Sequence, residues 1–168
     1  PAPFACGAPY TGTQACPSAD LATVSAVDTA NDTIFIAEGN YTCLITLTTN
    51  ERVVGDGSTA SIATVSGVSP VTGSSFPALS GTRPILNSTG DCITLNNAGG
   101  NTNTLRGFNI ANSSFVDLVG VNFGTVIINE MSLTGSGMAL LLINGDVTAT
   151  FNTIEVVGIP NANSILLQ

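Results

Sequence analysis

Residues 85–153 can be written as three successive units of 23 residues: ILNSTGDCITLNNAGGNTNTLRG (85–107), FNIANSSFVDLVGVNFGTVIINE (108–130) and MSLTGSGMALLLINGDVTATFNT (131–153). When the units are aligned, apolar residues fall at the same positions. Five such columns are Ile85, Phe108, Met131 and Ile154; Leu105, Ile128 and Phe151; Cys92, Phe115 and Met138; Ile93, Val116 and Ala139; and Leu95, Leu118 and Leu141. This internal period predicts a repeat architecture.

A unit of this length holds three short strands and three turns, which cannot bury their apolar side chains alone. Coiled into a solenoid, each strand pairs with the equivalent strand one turn away, at a spacing of about 4.8 Å, and like residues stack into an interior. Short β-prone runs recur along the whole chain, and only Asp20–Ala30 has apolar spacing that suits a short helix or cap. The sequence therefore predicts an all-β parallel β-helix with ~23-residue coils, roughly six or seven in number.

Composition divides the chain into parts. Residues 1–20, with two cysteines, are predicted to be an N-terminal disulfide-stapled cap, and residues 21–168 the parallel β-helix. The segment 58–83 breaks the period and is rich in Ser, Gly and Pro, so we expect it to leave the solenoid as a loop and to return near Pro84. Such a loop is a place for a binding function, although an ordinary connection has the same composition.

Charged side chains are scarce. The 168 residues include three Arg, eleven Asp or Glu, no Lys and no His, for a net charge of −8. No basic patch for nucleic acid or anionic lipid can be assembled, and neither a His-based triad nor a Cys/His zinc site is available. No stretch of 18 apolar residues is present to span a membrane. We expect no cofactor, no metal and a surface covered by hydroxyls and amides.

The four cysteines are Cys6, Cys16, Cys43 and Cys92, and none is in CxxC spacing. In a Lys-free chain rich in Ser, Thr and Asn, an even number of cysteines indicates disulfides of a secreted protein. Four cysteines allow three pairings; we prefer Cys6 with Cys16, within the cap, and Cys43 with Cys92, between neighbouring layers. Buried free thiols are the alternative. The start at Pro1, without Met, suggests a processed or excised product.

Several segments resemble a known superfamily. Asp32–Thr42, followed by residues 44–47 and 53–57 with their Gly-Asp-Gly turn, resembles the opening coil of right-handed parallel β-helix proteins of the pectin-lyase-like superfamily. Residues 105–110 look like a strand of an inner coil, and the later stretch is similar to repeats of bacterial surface β-strand-repeat proteins and autotransporter passenger domains. The resemblance implies the fold; its members include polysaccharide lyases and hydrolases, adhesins and structural surface proteins.

Enzymes of that superfamily use clustered charges: paired acids for hydrolysis, or acid-bound calcium with a basic residue for lyases. Here the acids are spread along the chain without an Asp-Asp pair. Arg83 and Arg106 are 23 residues apart, which would stack them on one face, where we expect them to bind turn carbonyls or an acid. We therefore predict no catalytic residues.

Asparagines suggest two further features. Asn31, Asn40, Asn87 and Asn112 each begin an Asn-x-Ser/Thr sequence and are candidate glycosylation sites, although Asn and Thr are also frequent at β-helix turns. Asn129 and Asn152, again 23 apart, are equally compatible with an amide ladder and with solvent-facing side chains.

The last residues, Ser164, Ile165, Leu166, Leu167 and Gln168, are typical of a strand inside a coil. An uncovered solenoid end exposes unpaired backbone, so we expect either a longer protein or end-to-end stacking of copies. The predicted function is a non-catalytic, secreted or cell-surface structural and adhesive solenoid. Its expected partners are further copies or turns of the same solenoid, or a host surface or glycans. The alternative is a polysaccharide-active enzyme or an inactive relative of one.

Overall fold

The computed structural model describes residues 18, 20–96, 101–111, 114–135, 137–156 and 165–168. Strands dominate, and the two helices are five residues each. The strands are Thr33–Ile36 (β1), Asn40–Thr42 (β2), Ile45–Leu47 (β3), Arg52–Gly55 (β4), Ile85–Asn87 (β5), Ile93–Leu95 (β6), Thr102–Arg106 (β7), Asn109–Ala111 (β8), Val116–Gly135 (β9), Met138–Val156 (β10) and Ile165–Leu167 (β11); the helices are Leu21–Ser25 (α1) and Ile62–Ser66 (α2).

All strand pairs are parallel, and they build a β-solenoid of about five turns. Three faces follow from the pairing. Face A contains β1, β4, β7, residues 125–129 of β9 and residues 146–150 of β10. Face B contains β2, β5, β8, residues 132–134 and residues 153–155. Face C contains β3, β6, residues 118–120, residues 140–142 and β11. The predicted parallel β-helix is confirmed, with about five turns in place of six or seven because residues 58–83 add no strand.

The interior is built from apolar columns, as the alternation of inward and outward residues requires. On face A the inward column is Ile34, Val53, Leu105 and Ile128; on face B it includes Leu86, Ile110 and Leu133; on face C it includes Ile45, Ile93, Leu118 and Leu140. All of these side chains are buried. Each turn buries its apolar side chains against its neighbours, which is why no single turn is stable alone.

The 23-residue step holds only in part. β7 and β8 pair with β9 at that spacing, so Leu105 faces Ile128 as predicted. Elsewhere the spacing is 25 residues (Ile93 with Leu118), 22 (Leu118 with Leu140) or 21 (Ile128 with Ala149). The remaining predicted columns are displaced by one to three residues, because corners and β-bulges absorb insertions and deletions while inward residues stay inward.

One corner is built from asparagines in the left-handed region. Where face C turns into face A, Asn31, Asn50, Asn122 and Asn144 have φ between 55° and 75°. Asn tolerates this conformation better than other non-glycine residues do. The Nδ2 of Asn50 donates to Asn31 Oδ1 (3.2 Å), and the Nδ2 of Asn144 to Asn122 Oδ1 (3.1 Å). Amide ladders therefore exist at this corner, whereas Asn129 faces Thr150 in the register.

Helix α1 covers one edge of the first turn. Asp20 is its N-cap and accepts from the Ala22 N–H. The Ser25 hydroxyl accepts a hydrogen bond from the N–H of Thr46 in β3 (2.9 Å), and Leu21 is buried. A strand edge that would otherwise be open is thus capped by a helix, as the spacing in residues 20–30 suggested.

A disulfide joins the first two turns. Cys43 precedes β3 and Cys92 precedes β6, and their Cα atoms are 4.9 Å apart. This confirms the predicted pairing between neighbouring layers. The other predicted pair, Cys6 with Cys16, lies outside the described residues.

Candidate functional site

The long connection between β4 and β5, residues 56–84, lies against the corner between faces A and B, and we call it the excursion. Helix α2 packs on β4, so that Ile62 and Val54 are both buried. Between Gly67 and Ser75 the side chains are exposed, with Val71 at 77%. The excursion therefore has a fixed base and an exposed tip.

Asp56 fixes the returning limb of the excursion. Its side chain is 5% exposed and accepts hydrogen bonds from the Ser80 N–H (2.5 Å), the Ser80 hydroxyl (2.8 Å) and the Glu38 N–H (3.3 Å). Its carbonyl accepts from the Gly81 N–H (3.0 Å). A buried carboxylate with this many donors needs no cation, and it ties residues 80–81 to the end of β4.

Glu130 fixes the outgoing limb. It accepts from Arg106 Nε (3.1 Å) and Nη2 (2.8 Å), from the Thr59 N–H (3.1 Å) and from the Thr59 hydroxyl. Burial works against ionisation of Glu130, but the hydrogen bonds from Thr59 and Arg106 outweigh it and lower its pKa. The expectation that an acid would bind one of the arginines is confirmed for Arg106.

Arg83 lies elsewhere, so the two arginines do not form the predicted column. Arg83 stands in the excursion just before Pro84 and β5, whereas Arg106 ends β7. The Arg83 stem packs on Gly57, where a Cβ would come within 2.2 Å of Arg83 Cγ. Among the residues that the structure describes, the Arg83 guanidinium has no hydrogen-bond or ion-pair partner. The column failed because Arg83 belongs to a segment that is not part of a coil.

A cleft of about 1000 Å³ lies between the two limbs of the excursion. One wall is formed by residues 57–63 and the other by residues 76–81, with Arg83 and Asn109 also lining it. Asp56 and Glu130 hold the two limbs at the cleft base, so its walls are in place without a ligand. Composition could suggest this loop, but not the two acids that fix it.

A second polar cluster is buried near the cap. Glu51 is completely buried, and its Oε2 accepts from the Thr48 N–H. Burial and the neighbouring Asp28 raise the Glu51 pKa to about 7, and burial also raises the Asp28 pKa. Glu51 Oε1 and Asp28 Oδ2 are buried without a hydrogen-bond donor, so the two carboxyls share a hydrogen bond only when one is protonated. Sequence analysis missed this pair, because the two acids are far apart in the chain and share no motif.

The candidate glycosylation sites have different surroundings. Asn31 and Asn40 are exposed, Asn31 at a corner and Asn40 at the start of β2. Asn87 ends β5, is half-buried, and its carbonyl accepts from the Cys43 N–H (2.7 Å). Asn112 lies outside the described residues. Asn31 and Asn40 are therefore the more accessible candidates.

The predicted end-contact segment forms β11, which pairs with residues 140–142. Ile165 and Leu167 are 43% and 54% exposed, and Gln168 exchanges backbone hydrogen bonds with Leu142 and Asn144. Ser164 lies outside the described residues.

No protein family, curated protein or solved structure matches this chain. In the described part of the chain, neither helix is long and apolar enough to cross a membrane, and His, Cys, Asp and Glu do not gather in threes to hold a metal ion.

Proposed function

We propose that this protein is a non-catalytic, extracellular or cell-surface structural and adhesive element, a stiff solenoid that displays the excursion. The observation that carries the proposal is the pinned base and exposed tip of the excursion. Asp56 and Glu130 fix the two limbs, and the tip exposes Val68 (56%) and Val71 (77%) to solvent. Binding residues commonly occupy loops held by a rigid scaffold.

The outer wall supports a structural role. On face B the outward column is Asn40, Ile85, Asn109, Ser132 and Thr153, which carries no charge. Carboxylates stacked about 4.8 Å apart would repel one another, and hydroxyls and amides cover the wall without that cost. The Cys43–Cys92 disulfide is consistent with an oxidising, extracellular setting.

Adhesion is tested by attaching the protein to beads and measuring their retention on candidate surfaces: glycan arrays, host cells and extracellular matrix. The matched variant replaces residues 68–74 by a Gly/Ser linker of equal length, which leaves both limbs intact. We expect retention on at least one surface and its loss in the variant. Equal retention of both proteins, or none on any surface, contradicts the adhesive role of the excursion.

The alternative is a polysaccharide-active enzyme or an inactive relative, favoured by the resemblance to the pectin-lyase-like superfamily and by the cleft. It is tested by incubating the protein with neutral and acidic polysaccharides and measuring new reducing ends and unsaturated products. We expect no turnover. Turnover that disappears in Arg83→Ala or Arg106→Ala would overturn the scaffold proposal.

We also propose end-to-end association, supported by the exposed Ile165 and Leu167 on the β11 edge. Electron microscopy and light scattering at increasing concentration test it. Filaments or stacked particles that disappear in Ile165→Asp support it, and strictly monomeric particles at high concentration rule it out.

A further inference from the structure

The charge pairing of this chain leaves one arginine over. Of the three arginines, Arg106 binds Glu130, and Arg52 donates from Nη1 to the Asn31 carbonyl (3.2 Å). Arg83 has no partner within the part of the chain that the structure describes, although acids outnumber cations eleven to three. Its stem is held against Gly57, and the residue lines the cleft of the excursion. An unpaired guanidinium offers five donors in a planar fork that suits a carboxylate.

Other donors line the same cleft. The backbone N–H groups of Ala78 and Leu79, both on the cleft wall, donate to no acceptor among the described residues. The carboxamide of Asn109 adds a further side-chain donor. Donors thus accumulate here, while the acids at the base, Asp56 and Glu130, are occupied by their own partners. This arrangement favours an anion over a cation.

The remaining lining limits the size and character of the ligand. Ile62, Phe76 and Leu79 contribute apolar surface, and the volume of about 1000 Å³ suits a small organic molecule. With one cation in the cleft and a net charge of −8 on the chain, a polyanion would be repelled. A single negative charge attached to an apolar body fits both conditions.

We propose that the cleft of the excursion binds a small organic monocarboxylate, whose carboxylate is held by Arg83 and the N–H groups of Ala78 and Leu79 and whose apolar body contacts Ile62 and Phe76. This site goes beyond the adhesive and structural role and does not depend on it, since the cleft belongs to the base of the excursion and not to its tip.

The test is an NMR titration of the ¹⁵N-labelled protein with 3-phenylpropionate, with its neutral amide and with inorganic phosphate. We expect 3-phenylpropionate to shift amide signals of residues 57–63 and 76–83, and the neutral amide to bind at least ~10-fold more weakly, because a charged hydrogen bond contributes about 1.5–3 kcal/mol. Equal binding of acid and amide overturns the proposal. So does absence of saturable shifts, or phosphate binding as tightly as the acid, which would identify a site for compact anions.

Matched variants locate the site on the chain. Arg83→Gln is expected to weaken binding of the acid at least ~10-fold, Arg83→Lys less so, and Arg52→Gln, which changes a cation outside the cleft, not at all. Unchanged affinity in Arg83→Gln overturns the assignment. Dispersed amide spectra verify that each variant is folded, and if Arg83→Gln does not fold, the comparison of acid with amide on the unaltered protein decides.

Discussion

The Asp28–Glu51 pair shows how one proton can couple the cap region to the solenoid. Asp28 follows α1, and Glu51 immediately precedes β4 on the second turn. Asp32 adds negative charge beside Asp28, while its own side chain accepts from the Thr29 N–H (2.7 Å). The Arg52 guanidinium is engaged with the Asn31 carbonyl. The protein therefore favours the state in which the pair retains a proton.

This pair predicts a stability that falls with rising pH. The Glu51 pKa is about 7 in the fold against a usual value of 4.5, so between these pH values the folded chain binds the extra proton and the unfolded chain does not. The contribution is complete below about pH 4.5 and lost as pH rises through about 7; its size is about 2 kcal/mol. Asp28, whose pKa is also raised, acts with the same sign.

The measurement is urea unfolding at pH 5 and pH 8. Glu51→Gln should flatten the difference between the two, because a carboxamide stays neutral and can donate to Asp28. Asp146→Asn, which changes an exposed acid, should keep the pH dependence of the unaltered protein. A slope that persists in Glu51→Gln would assign the effect to other groups.

Gly107 is predicted to be far less replaceable than its conformation alone requires. Its φ is +75°, and a Cβ there would lie 2.4 Å from the Ser58 nitrogen and 2.8 Å from the Gly55 oxygen. Gly67 has a similar φ, +72°, but open space around it. Gly67→Ala should cost about 1 kcal/mol and Gly107→Ala about 2 kcal/mol more, measured by urea unfolding. Equal losses would show that close backbone approach is not what requires Gly107.

At the scale of elements, the solenoid depends on fastenings between turns as well as on stacked side chains. The disulfide joins β3 to β6 at their N-terminal ends, and the two acids of the excursion join the second turn to its own return and to the fourth turn. These fastenings involve segments distant in sequence. Their loss should therefore act on long loops.

Removal of the disulfide is predicted to be costly. The bond spans 49 residues, and closure of a loop of that length limits the unfolded chain by about 4 kcal/mol. The double variant Cys43→Ala, Cys92→Ala should lose stability of this order in urea unfolding. A loss below about 1 kcal/mol would indicate that the two turns are already held together in the unfolded ensemble.

Asp56→Asn is predicted to release the returning limb of the excursion without unfolding the solenoid. The Nδ2 of asparagine cannot accept the bonds that Ser80 now donates to the carboxylate. Cleavage by a protease specific for apolar residues should become several-fold faster within residues 62–79, with little change in the unfolding midpoint. Asp146→Asn is the control. Cleavage at an unchanged rate would mean that Asp56 does not fix this limb.

The sequence was sufficient for the fold but not for its fastenings. Apolar columns have a period, so the solenoid and the Cys43–Cys92 pair could be predicted. The exact register could not, because corner residues such as Asn122 and Glu130 adopt left-handed conformations and change the length of a turn locally. Contacts such as Thr59 with Glu130 join residues 71 apart through a segment without a period, and no local pattern announces them.

For the whole molecule, stability is expected to vary along the axis. Each turn contacts only its neighbours, so its protection depends on having a turn on both sides. Residues 102–106 and 125–129 lie between neighbouring strands on face A, whereas residues 146–150 pair on one side only among the described residues, and Ala149 is exposed.

Hydrogen exchange read by mass spectrometry tests this gradient. We expect the slowest exchange in residues 102–106 and 125–133, and exchange at least ~10-fold faster in residues 146–153, because local opening there breaks fewer contacts. Uniform protection along the axis would point to a single cooperative unit, or to further contacts at the fifth turn.

The disulfide has a mechanical consequence as well. Hydrogen bonds between turns run roughly along the solenoid axis, so tension applied along that axis would peel the turns apart one after another. Cys43 and Cys92 join the first turn to the second by a covalent link that such tension does not break. Peeling that starts at the N-terminal side therefore cannot separate these two turns completely, and the link acts as a mechanical stop.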